Sequence, residues 1–98
     1  MKTGIELIAQ ERKEQIEKHG FDLSRDAEYY CKNELPDAAL YALTLEREHY
    51  PATWDFWFHN KLMDKERRLS ENEFWIERLK IAGALIAAEI DRIQEPES

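Results

Sequence analysis

The sequence predicts an all-α protein, a bundle of three main helices with one long, aromatic-rich connector. Three observations predict it. Two segments open with capping boxes, Thr3 with Glu6 and Ser70 with Glu73, in which hydroxyl and carboxylate satisfy each other's free backbone N–H groups. Pro36, which is tolerated only in a first helical turn, fixes a third start near Asn33. From Ser70 to about Gln94 apolar residues recur at helical spacing. The 98 residues form a single domain, 1–98, long enough for one modest core and short enough to gain from oligomerisation.

The first helix is expected from Thr3 to Lys18, with Gly20 suited to its C-terminal turn. Ile5, Ile8, Ala9 and Ile16 make its apolar stripe. Arg12 stands in the middle of that stripe, where an aliphatic residue is expected, as either a paired internal charge or a site residue. Glu11 and Gln15 run along one edge, with Glu14 beyond Glu11. Phe21 to Lys32 reads as a connector, with Ser24 offering a weak cap. The second helix runs from near Asn33 to near His49, burying Leu35, Ala38, Ala39, Ala42 and Leu45. Glu34, Asp37 and Tyr41 share one of its edges. Tyr50 to Leu69 lacks clear periodicity and reads as the connector. The last helix buries Trp75, Ile76, Leu79, Ala82, Ile86, Ile90 and Ile93, and places Glu89 within that stripe, with Arg12 as its expected partner. Glu95 to Ser98 is expected to fray.

The net charge of −7 argues against a protein that grips nucleic-acid backbones, which takes a basic surface. It leaves open a nucleotide substrate whose phosphates meet a metal. Cys31 is the only cysteine, so no intrachain disulfide forms and a cytoplasmic setting is expected. No signal-peptide core and no membrane span is apparent, so no membrane partner is expected.

Two acidic pairs carry the first chemical expectation. Glu11 with Glu14, and Glu34 with Asp37, each stand three residues apart, roughly one turn, so each pair leaves one side of its helix. Two helices that each present two acids supply the oxygen ligands a hard cation such as Mg²⁺ needs. The competing reading is that the acids are ordinary solvated charges. The connector combines Trp54, Phe56, Trp57 and Phe58 with Lys61, Lys65, Arg67 and Arg68. Aromatics followed by a basic cluster suit a base and its phosphates; a hydrophobic flap with a solvated basic edge is the alternative, with at least two of the four aromatics in the flap.

The wider pattern resembles a known family. Glu11-Arg12-Lys13-Glu14 followed by Glu34-Leu35-Pro36-Asp37 resembles the paired acidic motif of the all-α nucleoside triphosphate pyrophosphohydrolases, the MazG-like superfamily. The small phage- and prophage-type members are closer still. They look like this chain in Leu7 to Arg12 with Gln15, in Glu34-Leu35 followed by Ala38-Ala39 and Tyr41, in a Trp-rich loop, and in the closing run Leu79 to Ile90. The resemblance implies a dimer or higher homo-oligomer that hydrolyses a nucleoside triphosphate to the monophosphate and pyrophosphate. It implies Mg²⁺ held by Glu11, Glu14, Glu34 and Asp37. Beyond the resemblance, Mn²⁺ is an expected substitute, and Glu11 and Glu34 are the expected catalytic carboxylates, one not fully used as a ligand taking the proton. Substrate would then meet Trp54, Trp57, Lys61, Lys65, Arg67, Arg68 and Lys80, with Arg12, Gln15, Tyr41 and Glu89 as further site residues. The alternatives are a non-catalytic binding or regulatory protein of the same fold, and a helical adaptor whose aromatic loop binds protein.

Overall fold

The computed structural model describes residues 1–19, 34–52 and 54–94. The expected connector at Phe21–Lys32 and the expected fraying of Glu95–Ser98 lie outside them. Among the described residues the protein is all-α, with no strand. The elements are α1 (Gly4–His19), α2 (Glu34–Thr44), a 3-10 turn (Arg47–His49), α3 (Trp57–Arg68) and α4 (Glu71–Gln94). α4 is the central element, and α1, α2 and α3 all pack against it.

Both capping boxes form. The Thr3 N–H donates to Glu6 Oε1 at 2.8 Å and the Glu6 N–H to Thr3 Oγ1 at 3.2 Å. The Ser70 N–H donates to Glu73 Oε1 at 3.0 Å, and the Glu73 N–H to Ser70 Oγ at 3.2 Å. Pro36 falls in the first turn of α2, where its missing N–H costs no intrahelical bond. α2 stops at Thr44, short of the expected end near His49. Leu45 turns left-handed with φ 57°, and its N–H closes the last turn on the Tyr41 carbonyl at 2.7 Å. The Arg78 guanidinium then takes two of the last carbonyls, Nε donating to Ala42 O at 2.8 Å and Nη2 to Leu43 O at 2.7 Å. A cation on the C-terminal carbonyls also complements the helix dipole.

The expected connector from Tyr50 to Leu69 is in large part a helix, α3. Phe58 and Leu62, one turn apart, point into the core. With α3 the described residues hold four α-helices rather than three. The core gathers Leu35, Ala38, Ala42, Phe58, Leu62, Ile81, Leu85 and Ala88, with Trp54 and Met63 packed on its edge.

Two expected stripes face largely outward, with Ala82 of α4 buried as expected. On α1 the buried residues are Glu11, Arg12 and Gln15, while Ile5, Ala9 and Ile16 are exposed, Ile5 by 82 %. Ile8 alone of the expected stripe turns inward, against Gly83 of α4; a Cβ at Gly83 would stand 2.7 Å from Ile8 Cδ1 and 3.0 Å from Cγ1. The notch admits α1 closely, and Arg12 reaches Asp91 at 3.5 Å rather than Glu89. On α4 the buried residues are Phe74, Ile81, Ala82, Ala84, Leu85 and Ala88. Trp75, Ile76, Leu79, Ile86, Ile90 and Ile93 are 42–66 % exposed. Phe74, Ile81 and Leu85 supply the bulk of this inner face, Ala82, Ala84 and Ala88 let the neighbouring helices approach it, and the remaining large residues are left outside. At 100° per residue, Trp75, Leu79, Ile86, Ile90 and Ile93 fall within about 60° of one another on the helix surface, one continuous apolar seam.

Candidate functional site

α1, α3 and α4 bring charged side chains together at their junction. Glu11 projects from the middle of α1 and is 4 % exposed. Lys61, on α3, places its ammonium 3.7 Å from Glu11 Oε2, and that oxygen has no hydrogen-bond partner among the described residues. Burial raises the Glu11 pKa against the pull of Lys61, and the nearby Glu14 adds to the rise. Burial lowers the Lys61 pKa against the pull of Glu11. Each shift favours the neutral form, as expected of ions withdrawn from water. Gln15 follows one turn after Glu11, and its Oε1 is likewise buried without a partner among the described residues. Beside them Lys65 and Lys80 converge on Glu77, at 3.1 Å and 2.8 Å. Burial pushes Glu77 up, but the hydrogen bonds from Lys80 and Lys65 outweigh it and hold the carboxyl low.

The remaining expected residues divide. Glu34 is buried at the first position of α2, and Asp37 is half-buried one turn on. No three of Glu11, Glu14, Glu34 and Asp37 bring ligand atoms within 4.8 Å of one another; among the described residues that closeness belongs to Glu46, Glu48 and His49, on and beside the 3-10 turn. Glu46 and Glu48 are exposed there. Arg67 and Arg68 both pair with Asp64 on the outer face of α3, at 3.4 Å and 2.9 Å. Glu89 holds Arg92 through both oxygens at 2.8 Å, so Arg92 takes the part expected of Arg12.

The aromatics build a separate feature. Phe58 is in the core and Trp54 packs against it edge-on, with ring centres 5.4 Å apart. Trp54 and Trp57 stack at 5.3 Å and 27°. A cavity of about 460 Å³ opens between the end of α2, the 3-10 turn and the start of α3, lined by Tyr41, Arg47, Tyr50, Trp54, Phe56 and His59 among others. The Tyr41 hydroxyl and His59 Nδ1 share a hydrogen bond, and the Tyr50 hydroxyl donates to the Asp55 carbonyl. Burial raises both tyrosine pKa values, which keeps the rings neutral at ordinary pH. Tyr41 and Trp54 were expected site residues and Phe56 belonged to the expected aromatic group; Arg47, Tyr50 and His59 were not expected. The one signal for them is the density of aromatic residues from Tyr50 to His59.

The cavity and the Glu11 junction lie on opposite flanks of α3. Trp57, Lys61 and Lys65 follow at intervals of four residues along one strip, whereas His59 stands about 160° from Lys61 around the axis. His59 and Lys61 thus face opposite sides of α3, while Trp54 lines the cavity and stacks on Trp57 of the Lys61 strip. No helix of the described residues is long and apolar enough to cross a membrane. Compared with family models, curated proteins and solved structures, the chain matches none.

Proposed function

We propose that the protein is a Mg²⁺-dependent nucleoside triphosphate pyrophosphohydrolase whose site is the Glu11 junction. The observation that carries the reading is the pair of buried oxygens on α1, Glu11 Oε2 and Gln15 Oε1, one turn apart and without hydrogen bonds among the described residues. Buried unsatisfied oxygens are costly, and a hard cation is the ligand that oxygen donors suit. These two oxygens are the start of a donor set for Mg²⁺, with Mn²⁺ as a substitute; binding would have to draw the other acids in and displace the Lys61 ammonium, 3.7 Å from Glu11 Oε2. Glu11 would hold the cation, with Glu14, Glu34 and Asp37 as the further acids that the family resemblance supplies and Gln15 as a neutral donor. A bound metal supplies charge neutralisation of the phosphates and a more acidic water.

The chain's own groups do the rest. Lys61, Lys65 and Lys80 bring three positive charges to the junction and would hold the phosphates of the leaving pyrophosphate. Trp57, on the same strip of α3 as Lys61 and Lys65, offers a ring for the base. Glu11, its pKa raised by burial, suits a general base that takes a proton as water attacks the α-phosphorus. The bond to the bridging oxygen of pyrophosphate breaks, and nucleoside monophosphate leaves. A symmetric homodimer through the α4 seam would cover the apolar residues left exposed, and the single cysteine fits a reducing cytoplasm. The test is pyrophosphate release from a panel of nucleoside triphosphates with Mg²⁺ or Mn²⁺. Wild type should release it and Glu11→Gln should not; silence from wild type with every substrate, or equal rates from both, would overturn the assignment.

A second reading has its own observation. Lys61 already provides Glu11 with a positive partner, as in a non-catalytic helical binding or regulatory protein whose acids are structural. That reading predicts no rise in melting temperature with Mg²⁺, whereas binding to the native state stabilises by mass action.

A further inference from the structure

We infer that the aromatic cavity on the far flank of α3 is a second binding site, for a planar aromatic ring that carries an anionic group. The inference does not rest on the hydrolase assignment. It rests on the shape, the walls and the charge of the cavity.

The volume, about 460 Å³, is that of a small-molecule site rather than a packing defect. Its walls are ring faces and edges. Tyr41 and Tyr50 meet at right angles, with centres 4.8 Å apart, and form a corner. Trp54 and Phe56 complete the aromatic lining, Phe56 beside Tyr50 with ring centres 6.4 Å apart. The corner is fixed in place: Tyr41 is held by His59, and Tyr50 by the Asp55 carbonyl and by the His59 N–H at 3.4 Å. These bonds engage both hydroxyls; Tyr41, only 2 % exposed, backs the corner, and the accessible ring surface is that of Tyr50, Trp54 and Phe56. A flat ring gains from stacking or edge contacts at such walls without needing many polar partners.

Arg47 decides the charge of the ligand. It is the one side chain on the lining that is always cationic, and no carboxylate lines the cavity. Among the described residues it is engaged in no ion pair with Glu46 or Glu48, its neighbours in sequence. An aromatic cage of this kind would otherwise suit a quaternary ammonium. A guanidinium at the wall repels that ligand and attracts a phosphate or carboxylate, which it can hold through two parallel hydrogen bonds. In a chain of net charge −7, a local cation on an aromatic cavity selects against the protein's general preference for positive ligands.

The experiment is calorimetric titration with 1-naphthyl phosphate in EDTA, which silences any metal-dependent site and so separates this inference from the proposed hydrolysis. Three control probes dissect the ligand: 1-naphthol lacks the anion, inorganic phosphate lacks the ring, and trimethyl(1-naphthyl)ammonium reverses the charge. Naphthyl phosphate should bind best and inorganic phosphate should not bind measurably. Arg47→Gln, at an exposed position, should weaken naphthyl phosphate about tenfold, down to the level of 1-naphthol, and leave 1-naphthol unchanged. Tighter binding of the ammonium probe, equal binding of naphthol and naphthyl phosphate by wild type, or no binding of any aromatic probe would each overturn the inference. The comparison among probes on wild type holds even if the variant folds poorly.

Discussion

Replacing Arg78 by Met tests how α2 is terminated. The perturbation keeps an unbranched apolar stem and removes the guanidinium that donates to the Ala42 and Leu43 carbonyls. Hydrogen bonds from a charged donor contribute about 1.5–3 kcal/mol each; Arg78 is only half-buried, so the lower figure applies, and two bonds give about 3 kcal/mol. The guanidinium also lies over Phe74 at 5.2 Å and Trp75 at 4.8 Å, and Met retains part of that packing. For a domain of this size each kcal/mol moves the midpoint by about 4–8 °C, so the melting temperature should fall by roughly 12–24 °C. Arg78→Lys, which keeps the charge but not the fork, should lose about half as much. Urea unfolding followed by circular dichroism reads both variants. A loss below about 0.5 kcal/mol for Arg78→Met, with an unchanged dependence on denaturant, would refute the idea that this side chain caps α2.

Gly83→Ala should destabilise the protein by about 1–3 kcal/mol, even though Ala exceeds Gly in helix propensity by about 1 kcal/mol, because its Cβ meets Ile8. Adding Ile8→Ala to Gly83→Ala should recover part of the loss in thermal melts, and strictly additive losses would contradict the notch. The Glu77 carboxyl titrates below its unfolded value, so its stabilisation is present above the ordinary carboxylate range and is lost as pH falls through the folded pKa. Glu77→Gln should therefore flatten the acid limb of stability against pH, and parallel curves for wild type and variant would reject the Lys65–Glu77–Lys80 cluster as its cause. The seam on α4 predicts a dimer in light scattering at tens of micromolar and a monomer for Ile86→Glu. A monomeric wild type would refute that assembly.

The starts of α1, α2 and α4 were legible because their signals are local. A capping box needs four residues, and Pro36 restricts its own turn. α3 was not legible: it opens without a capping side chain, only Phe58 and Leu62 reach full burial, and its adjacent aromatics blur the helical period. The period of α4 was legible but its direction was not. Two apolar stripes run along this helix, Trp75 to Ile93 and Phe74, Ile81 and Leu85, and the second faces inward because Ala84 and Ala88 beside it admit the neighbouring helices closely. Of the candidate site, the buried acids Glu11 and Glu34 could be picked out from spacing. The pairing of Glu11 with Lys61 could not, because it joins residues far apart in the chain, and no local pattern carries such a contact.

The composition of the buried face of α1 has a consequence for motion. Its fully buried side chains are Glu11, Arg12 and Gln15, and among the described residues it places no hydrophobic side chain fully in the core. Helices held by apolar burial come apart with the whole domain, whereas a helix held by a few polar contacts and a glycine notch opens by itself at lower free energy. α1 is therefore expected to open as a separate unit, which hydrogen exchange would read. Its amides will exchange with solvent before those of α2 and α4, and each opening will carry Glu11 away from Lys61 and return both charges to water.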